Sequence, residues 1–325
     1  MKYKAQGRVI DTVRGLMMQS SADSIEFTAD CNGRVSVTFF CEKTEHTGDV
    51  DVYFTGYTDG ERIDTRYHVS QGQNELILAQ SIQGIHTFKL VRQTEWGVGD
   101  IYMTDIKVEG ELLDPPADKE IFIEFIGDSI TTGFGNQPDE PSDISWGGAP
   151  VYQDATVAYP YMIGNELDAD ISVVAIQGIG CLCGGWDFTM NDIYDVYPRV
   201  REKDFHYNPT RTADVVVVHL LGNDKDNYKE KGLSWDDVLE KAGELCLMAR
   251  EKHPDSLVLF CPADMLAEAE IMVENKLGGA KNGFYTLLVP MDCGGKLNHP
   301  SVKGHILARD RMAPYIKKIL EENKK

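Results

Sequence analysis

Residues 113–131 read Leu113-Asp114-Pro115-Pro116-Ala117-Asp118-Lys119-Glu120-Ile121-Phe122-Ile123-Glu124-Phe125-Ile126-Gly127-Asp128-Ser129-Ile130-Thr131, and this stretch divides the chain. Adjacent prolines fix φ and remove two backbone donors, so they have no place in a central strand and stiffen a linker. Directly after them, Ile121 to Ile126 is a strongly apolar run of strand length, the pattern of a strand buried on both faces. We therefore expect one domain over 1–117 and a second over 118–325.

Beyond the linker the same signature recurs at Ile171 to Ile176, Val215 to Leu221, Leu257 to Cys261 and Phe284 to Val289. Helical periodicity fills the intervals. Ser234 can N-cap a helix over Trp235 to Arg250, with Asp237 as its capping-box partner. Ala263 to Leu277 and Ser301 to Leu320 carry the same period. Five buried strands alternating with helices predict a doubly wound α/β domain with a five-stranded parallel sheet.

Before the linker the period is two. Val35, Val37 and Phe39 alternate with Ser36, Thr38 and Phe40; Val50, Val52 and Phe54 repeat the pattern, as do His86, Phe88 and Leu90. Alternation of this kind marks half-buried strands. Asp59-Gly60 between two such runs is a hairpin-turn signal. About eight short strands and no helix predict an antiparallel β-sandwich of jelly-roll type.

The 325 residues include 32 Lys+Arg against 52 Asp+Glu, a formal charge of −20. Nucleic acid and anionic membranes would be repelled by such a chain, so neither is expected as a partner. A neutral or carbohydrate-like partner fits, although acidity is also a common solubility device. Seven cysteines, an odd number without a C-x-x-C pair, do not form a disulfide or zinc framework. The first residues lack a signal peptide's apolar run, and no stretch reaches membrane-spanning length. The expectation is an intracellular, cytoplasmic protein. No phosphate loop, dinucleotide fingerprint or metal-ligand cluster appears, so no cofactor and no metal are expected. The sequence does not speak to oligomeric state.

In a parallel sheet ligands gather at the carboxyl ends of the strands. The first strand ends in Gly127-Asp128-Ser129. Ser129 can present its hydroxyl and its N–H at the top of the sheet, or simply N-cap the next helix. The second ends in Gln177-Gly178-Ile179-Gly180, where Gly178 can offer an N–H to a ligand or make a tight turn. The third ends in Leu221-Gly222-Asn223-Asp224, where Asn223 can donate an amide to an oxyanion or close an Asx turn. The last loop holds His299, kept out of helix by Pro300. His305, six residues further on, is read as structural. A hydroxyl, a backbone donor, an amide and an imidazole together are what acyl transfer needs.

In these four blocks, Gly127-Asp128-Ser129, Gly178, Asn223 and His299, the chain resembles the SGNH (GDSL-type) hydrolase superfamily. A sandwich ending in Lys107-Val108-Glu109-Gly110, the proline linker, Gly178-Ile179-Gly180 and the closing Asn298-His299-Pro300-Ser301-Val302-Lys303-Gly304-His305 look like carbohydrate esterase family two. That resemblance implies a serine esterase removing acetyl groups from plant-type oligo- or polysaccharides. Ser129 would be its nucleophile, His299 its base, and Ser129, Gly178 and Asn223 its oxyanion hole. Asp128 would brace the serine turn. Trp146, Trp186 and Tyr228 fall near the strand-end loops, where they can stack on a sugar or merely pack the loops.

The chain departs from the pattern twice. The third block has Leu221 where the usual glycine stands, and a shifted alignment would put Asp224 in place of Asn223. A carboxylate would repel an oxyanion, so Asn223 is preferred. Lys296 occupies the position where the superfamily usually has the triad aspartate. A Ser-His dyad oriented by a backbone oxygen, such as the Lys296 carbonyl, ranks ahead of a substitute triad using Asp292. Two other readings stay open: a carbohydrate-binding protein on an impaired esterase scaffold, and an acylhydrolase acting on lipid or thioester substrates.

Overall fold

The computed structural model describes residues 2–43, 52–137, 150–202, 204–263 and 265–323. Among the described residues, the regular elements of the first part of the chain are all β: β1 (Lys4–Gln6), β2 (Ile10–Thr12), β3 (Gly15–Met17), β4 (Ser24–Glu42), β5 (Val52–Thr58), β6 (Glu61–Val69), β7 (Gly72–Arg92) and β8 (Asp100–Leu112). They form one antiparallel sheet in the order β2-β3-β8-β4-β7-β5-β6, with β1 paired to β4. Asp59 and Gly60 both take positive φ and close a two-residue hairpin between β5 and β6. Val35, Val37, Phe39, Val52, Phe54, Phe88 and Leu90 are fully buried in the core this sheet curls around. Val50, expected with them, lies outside the described residues.

The strands differ from the short ones expected: β4 runs 19 residues and β7 runs 21. Gly84 of β7 and Gly110 of β8 both pair with Cys31 of β4, two residues before Gly33. All three glycines have positive φ. A Cβ on Gly110 would sit 2.0 Å from the carbonyl oxygen of Asp30. A glycine on each of three neighbouring strands lets them bend together without breaking the ladder, so segments that read as separate strands are continuous.

β8 ends at Leu112 and β9 (Ile121–Gly127) opens the second sheet. The α/β part continues with α1 (Ser129–Thr132), α2 (Tyr159–Glu166), β10 (Ala169–Ala175), α3 (Met190–Ile193), β11 (Val215–Leu220), α4 (Gly222–Asn227), α5 (Trp235–Lys252), β12 (Leu257–Pro262), α6 (Leu266–Met272), β13 (Phe284–Thr286) and α7 (Val302–Asn323). The five strands are parallel, in the order β10-β9-β11-β12-β13. Alternate residues feed cores on both faces. Val216, Val218, Val258 and Phe260 pack with α5, and Val215, Val217, Leu257 and Leu259 pack with α7. Two expected boundaries move. Met265 in the left-handed region (φ 56°) delays the helix expected from Ala263 until Leu266. The last strand, paired only to β12, is three residues long and stops at Thr286.

The two parts meet in buried ion pairs. Arg8, just beyond β1, holds Glu124 of β9 at 2.9 and 3.1 Å, and neither side chain is exposed. Tyr194 donates to the same carboxylate at 2.8 Å and His253 Nε2 lies 3.3 Å from it. Lys4 of β1 pairs with Asp170 of β10 at 2.7 Å.

Candidate active site

The strand order reverses at β9, which has β10 on one side and β11 on the other, and ligands of open α/β sheets bind outside the carboxyl ends at such a switch point. Ser129 stands one residue beyond the turn that leaves β9. The N-cap of α1 is Asp128, not Ser129: its Oδ1 accepts the Ile130 N–H at 3.0 Å. This leaves the Ser129 hydroxyl for other work.

Ser129 Oγ lies 2.8 Å from His299 Nε2, across 170 residues of sequence. His299 Nδ1 lies 2.9 Å from the Leu297 carbonyl oxygen. A carbonyl only accepts, so Nδ1 carries the proton, and Nε2 is left as the acceptor for the serine hydroxyl. The turn that aims this carbonyl is unusual. Leu297 and Asn298 both sit in the left-handed region, at φ 53° and 58°. Two consecutive non-glycine residues there store backbone strain beside the reacting groups. Phe134 packs edge-on against the imidazole at 4.7 Å. Burial holds the His299 pKa below its ordinary value, and the Leu297 and Lys296 carbonyls partly offset this.

The backbone oxygen that orients His299 is thus Leu297's, not Lys296's. The Lys296 carbonyl accepts the His299 backbone N–H at 3.1 Å instead. The Lys296 ammonium lies over the Tyr152 ring, 5.2 Å from its centre. Asp292 accepts from the Ser301 hydroxyl at 3.3 Å and forms no pair with the imidazole.

The Asn223 amide donates to the Ile179 carbonyl at 2.9 Å and to Asp128 Oδ2 at 3.3 Å, which puts it beside the serine turn. Asp224 points elsewhere. Its buried carboxylate accepts the backbone N–H groups of Cys181, Leu182 and Cys183 at 2.8–3.0 Å. Leu221 takes φ 86° where a glycine would do so freely, and α4 begins directly after it. Burial, and then the Asp224 charge, pushes Asp128 up to about 7.

Gly178 takes φ 75°, and a Cβ there would meet only the Trp186 indole nitrogen, at 3.7 Å. The Gly178 carbonyl accepts from the Gly185 N–H at 2.8 Å, while the Gly178 N–H has no acceptor among the described residues. Trp186 is therefore at the site. Tyr228 packs on Trp235 at 5.4 Å, under the α5 side of the sheet. Trp146 lies outside the described residues.

Two neighbours of the site come from the first part of the chain and went unseen in the sequence. Glu95 Oε2 accepts the Gln177 N–H at 2.5 Å, and Trp96 packs edge-on against Trp186 and Phe188. The signal for them was slight, an acid and a tryptophan ahead of Gly97-Val98-Gly99. Behind His299 lie two further buried histidines, His219 and His305, which burial pushes down to about 4 and about 3, so they stay neutral. Among the described residues, no group of three or more His, Cys, Asp or Glu side chains is arranged to hold a metal.

No protein-family model matches the chain. It is 27% identical over 258 residues to the cellulase/esterase CelE of Acetivibrio thermocellus; the match takes in 72% of this chain and spans 30% of that relative's length. Its fold matches a family two carbohydrate esterase from Clostridium thermocellum in complex with cellohexaose, with a TM-score of 0.85 and 22% identity over 98% of this chain and 99% of the other. It also matches an acetyl xylan esterase from the rumen bacterium Butyrivibrio proteoclasticus, with a TM-score of 0.83 and 17% identity over 99% and 96% of the two chains. In its fold over nearly the whole length, the chain resembles the family-two carbohydrate esterases.

Proposed function

We propose that the protein is a carbohydrate O-acetyl esterase that works through an acetyl-serine intermediate and a Ser129–His299 dyad. The observation that carries this reading is the relay from Ser129 Oγ through His299 to the Leu297 carbonyl. His299 Nε2 takes the hydroxyl proton as Ser129 Oγ attacks the acetyl carbonyl carbon. The oxyanion is met by the N–H groups of Ser129 and Gly178 and by the Asn223 amide, which gives up its longer bond to Asp128. The C–O bond to the sugar then breaks, and His299 passes the proton to the leaving sugar oxygen. Water repeats the cycle with His299 as base and releases acetate. The Leu297 carbonyl takes over the orienting part of a triad carboxylate, so Lys296 does not argue for a dead scaffold.

The similarity to proteins described as carbohydrate and acetyl xylan esterases supports a plant-type acetylated oligo- or polysaccharide as substrate. We assign Trp186, half-buried beside Gly178, to contact with the sugar. We read the curled first sheet as the jelly-roll half of this architecture.

Ser129→Ala should remove nearly all hydrolysis of an aryl acetate and of acetylated xylo- and cello-oligosaccharides. Turnover by that variant at the wild-type rate overturns the serine assignment. An acyl-length series separates the alternatives. Acetate preferred over butyrate and octanoate supports a deacetylase, and the reverse order supports a lipid or thioester acylhydrolase.

A further inference from the structure

Glu95 belongs to the first, all-β part of the chain yet ends in the loop that carries Gly178. It is 4% exposed. Its carboxyl oxygen accepts the Gln177 N–H at 2.5 Å, and the Trp186 indole donates to the Gln177 carbonyl at 2.6 Å. Peptide units are planar and trans. The Gln177 carbonyl and the Gly178 N–H are opposite edges of one such plane. Trp186, by fixing the carbonyl, therefore sets the direction of the N–H. Glu95 fixes the plane before it in the same way. Two consecutive peptide planes are held from outside their own strand, and the free N–H at their end is the one at Gly178.

The loop that brings Glu95 here is itself built for rigidity. Arg92 is fully buried and donates to the carbonyls of Thr94, Glu95, Val98 and Gly99. Gln153 joins the same loop to the serine turn. Its Oε1 accepts from the Glu95 N–H at 3.4 Å and its Nε2 donates to the Thr132 carbonyl at 3.0 Å. Trp96 then packs on Trp186, the second holder of the Gln177 peptide, with ring centres 6.0 Å apart.

We propose that Glu95 is a positioning residue for the oxyanion donor at Gly178, so that the β-sheet domain completes the active site of the α/β domain. The proposal rests on the esterase reading given above. Burial pushes Glu95 up to about 8, which agrees with the geometry. An uncharged acid still accepts through its carbonyl oxygen and sets no negative charge beside a developing oxyanion.

The test is steady-state hydrolysis of an aryl acetate by the full chain and three variants, with melting temperatures recorded alongside. Glu95→Ala should lower kcat about tenfold or more, short of the hundredfold or greater loss expected when a donor is removed outright. KM should stay within about twofold, because the substrate's ground-state contacts are untouched. Glu95→Gln should keep most of the wild-type kcat, since its amide oxygen accepts the same N–H. Trp186→Phe, which keeps a ring but loses the indole N–H, should lower kcat in the same way and serves if Glu95→Ala fails to fold. A folded Glu95→Ala with wild-type kcat overturns the proposal. So does Glu95→Gln losing as much as Glu95→Ala, and so, where Glu95→Ala does not fold, does Trp186→Phe with wild-type kcat. A wild-type chain that hydrolyses no acetate overturns the esterase reading and this proposal with it. An active wild type with an unaffected Glu95→Ala overturns this proposal alone.

Discussion

His299 owes its chemistry to three contacts. The Leu297 carbonyl fixes its tautomer, Ser129 occupies Nε2, and Phe134 packs edge-on against the ring. With no carboxylate at Nδ1, nothing strongly raises its pKa, and burial carries it below the ordinary 6.5. In the proposed mechanism the neutral imidazole is the base, so lowering pH through that depressed value should protonate it and stop turnover. The pH profile of kcat/KM for an aryl acetate should therefore be flat near neutrality and fall on the acid side with a midpoint below 6.5. A midpoint above 6.5 would point to an unseen carboxylate partner. That Ser129, His299 and Asn223 belong at the strand ends was legible as residue types in their order along the chain, and the fold brings Ser129 against His299 and Asn223 beside the serine turn. The identity of the orienting carbonyl was not, because it depends on Leu297 and Asn298 adopting a conformation their side chains disfavour.

At the scale of elements, local rules held where a cap or turn is set by neighbours in sequence. Ser234 and Asp237 form the full capping box at the start of α5: the serine oxygen accepts the Asp237 N–H and the aspartate accepts the Ser234 N–H at 2.9 Å. Ser234→Ala should cost about 1 kcal/mol of stability. Urea denaturation followed by circular dichroism would measure it, and an unchanged midpoint would show that α5 is held by its buried face alone. Local rules gave less for β4 and β7. Where short strands were expected, glycines on three neighbouring strands mark a shared bend within long ones. Which strands lie side by side is a long-range matter, so one sequence window cannot separate a turn from a bend.

Across the described residues of the whole molecule, few of the charges are buried, and several of those that are sit between the two parts. Arg8 and Glu124 have no exposed side-chain surface, and the guanidinium with His253 holds the carboxylate below its usual range in spite of its burial. Arg8→Ala leaves that carboxylate short of its main partner, which should cost about 3–5 kcal/mol. Chemical denaturation of the full chain measures this. A loss of about 0–1 kcal/mol, typical of exposed pairs, would mean that water reaches Glu124. Such a clamp also explains how a domain with no strand-end chemistry of its own can hold Glu95 and Trp96 against the Gly178 loop.

By itself the sequence determined the two parts of the chain, the parallel sheet, and the residues at its strand ends, because periodicity, proline and glycine act on their own neighbours. Tertiary structure decided which carbonyl orients His299, where Lys296 and Asp292 go, and that Glu95 and Trp96 stand at a site built more than 30 residues further along the chain. The placing of Lys296, Glu95 and Trp96 turns on contacts between distant segments, and the choice of carbonyl on a strained local turn. The Gln177 N–H meets its acceptor only once Glu95 of the first part has packed against the Gly178 loop, and the His299 loop is tied to the serine turn through the Lys296 N–H and the Gly135 carbonyl.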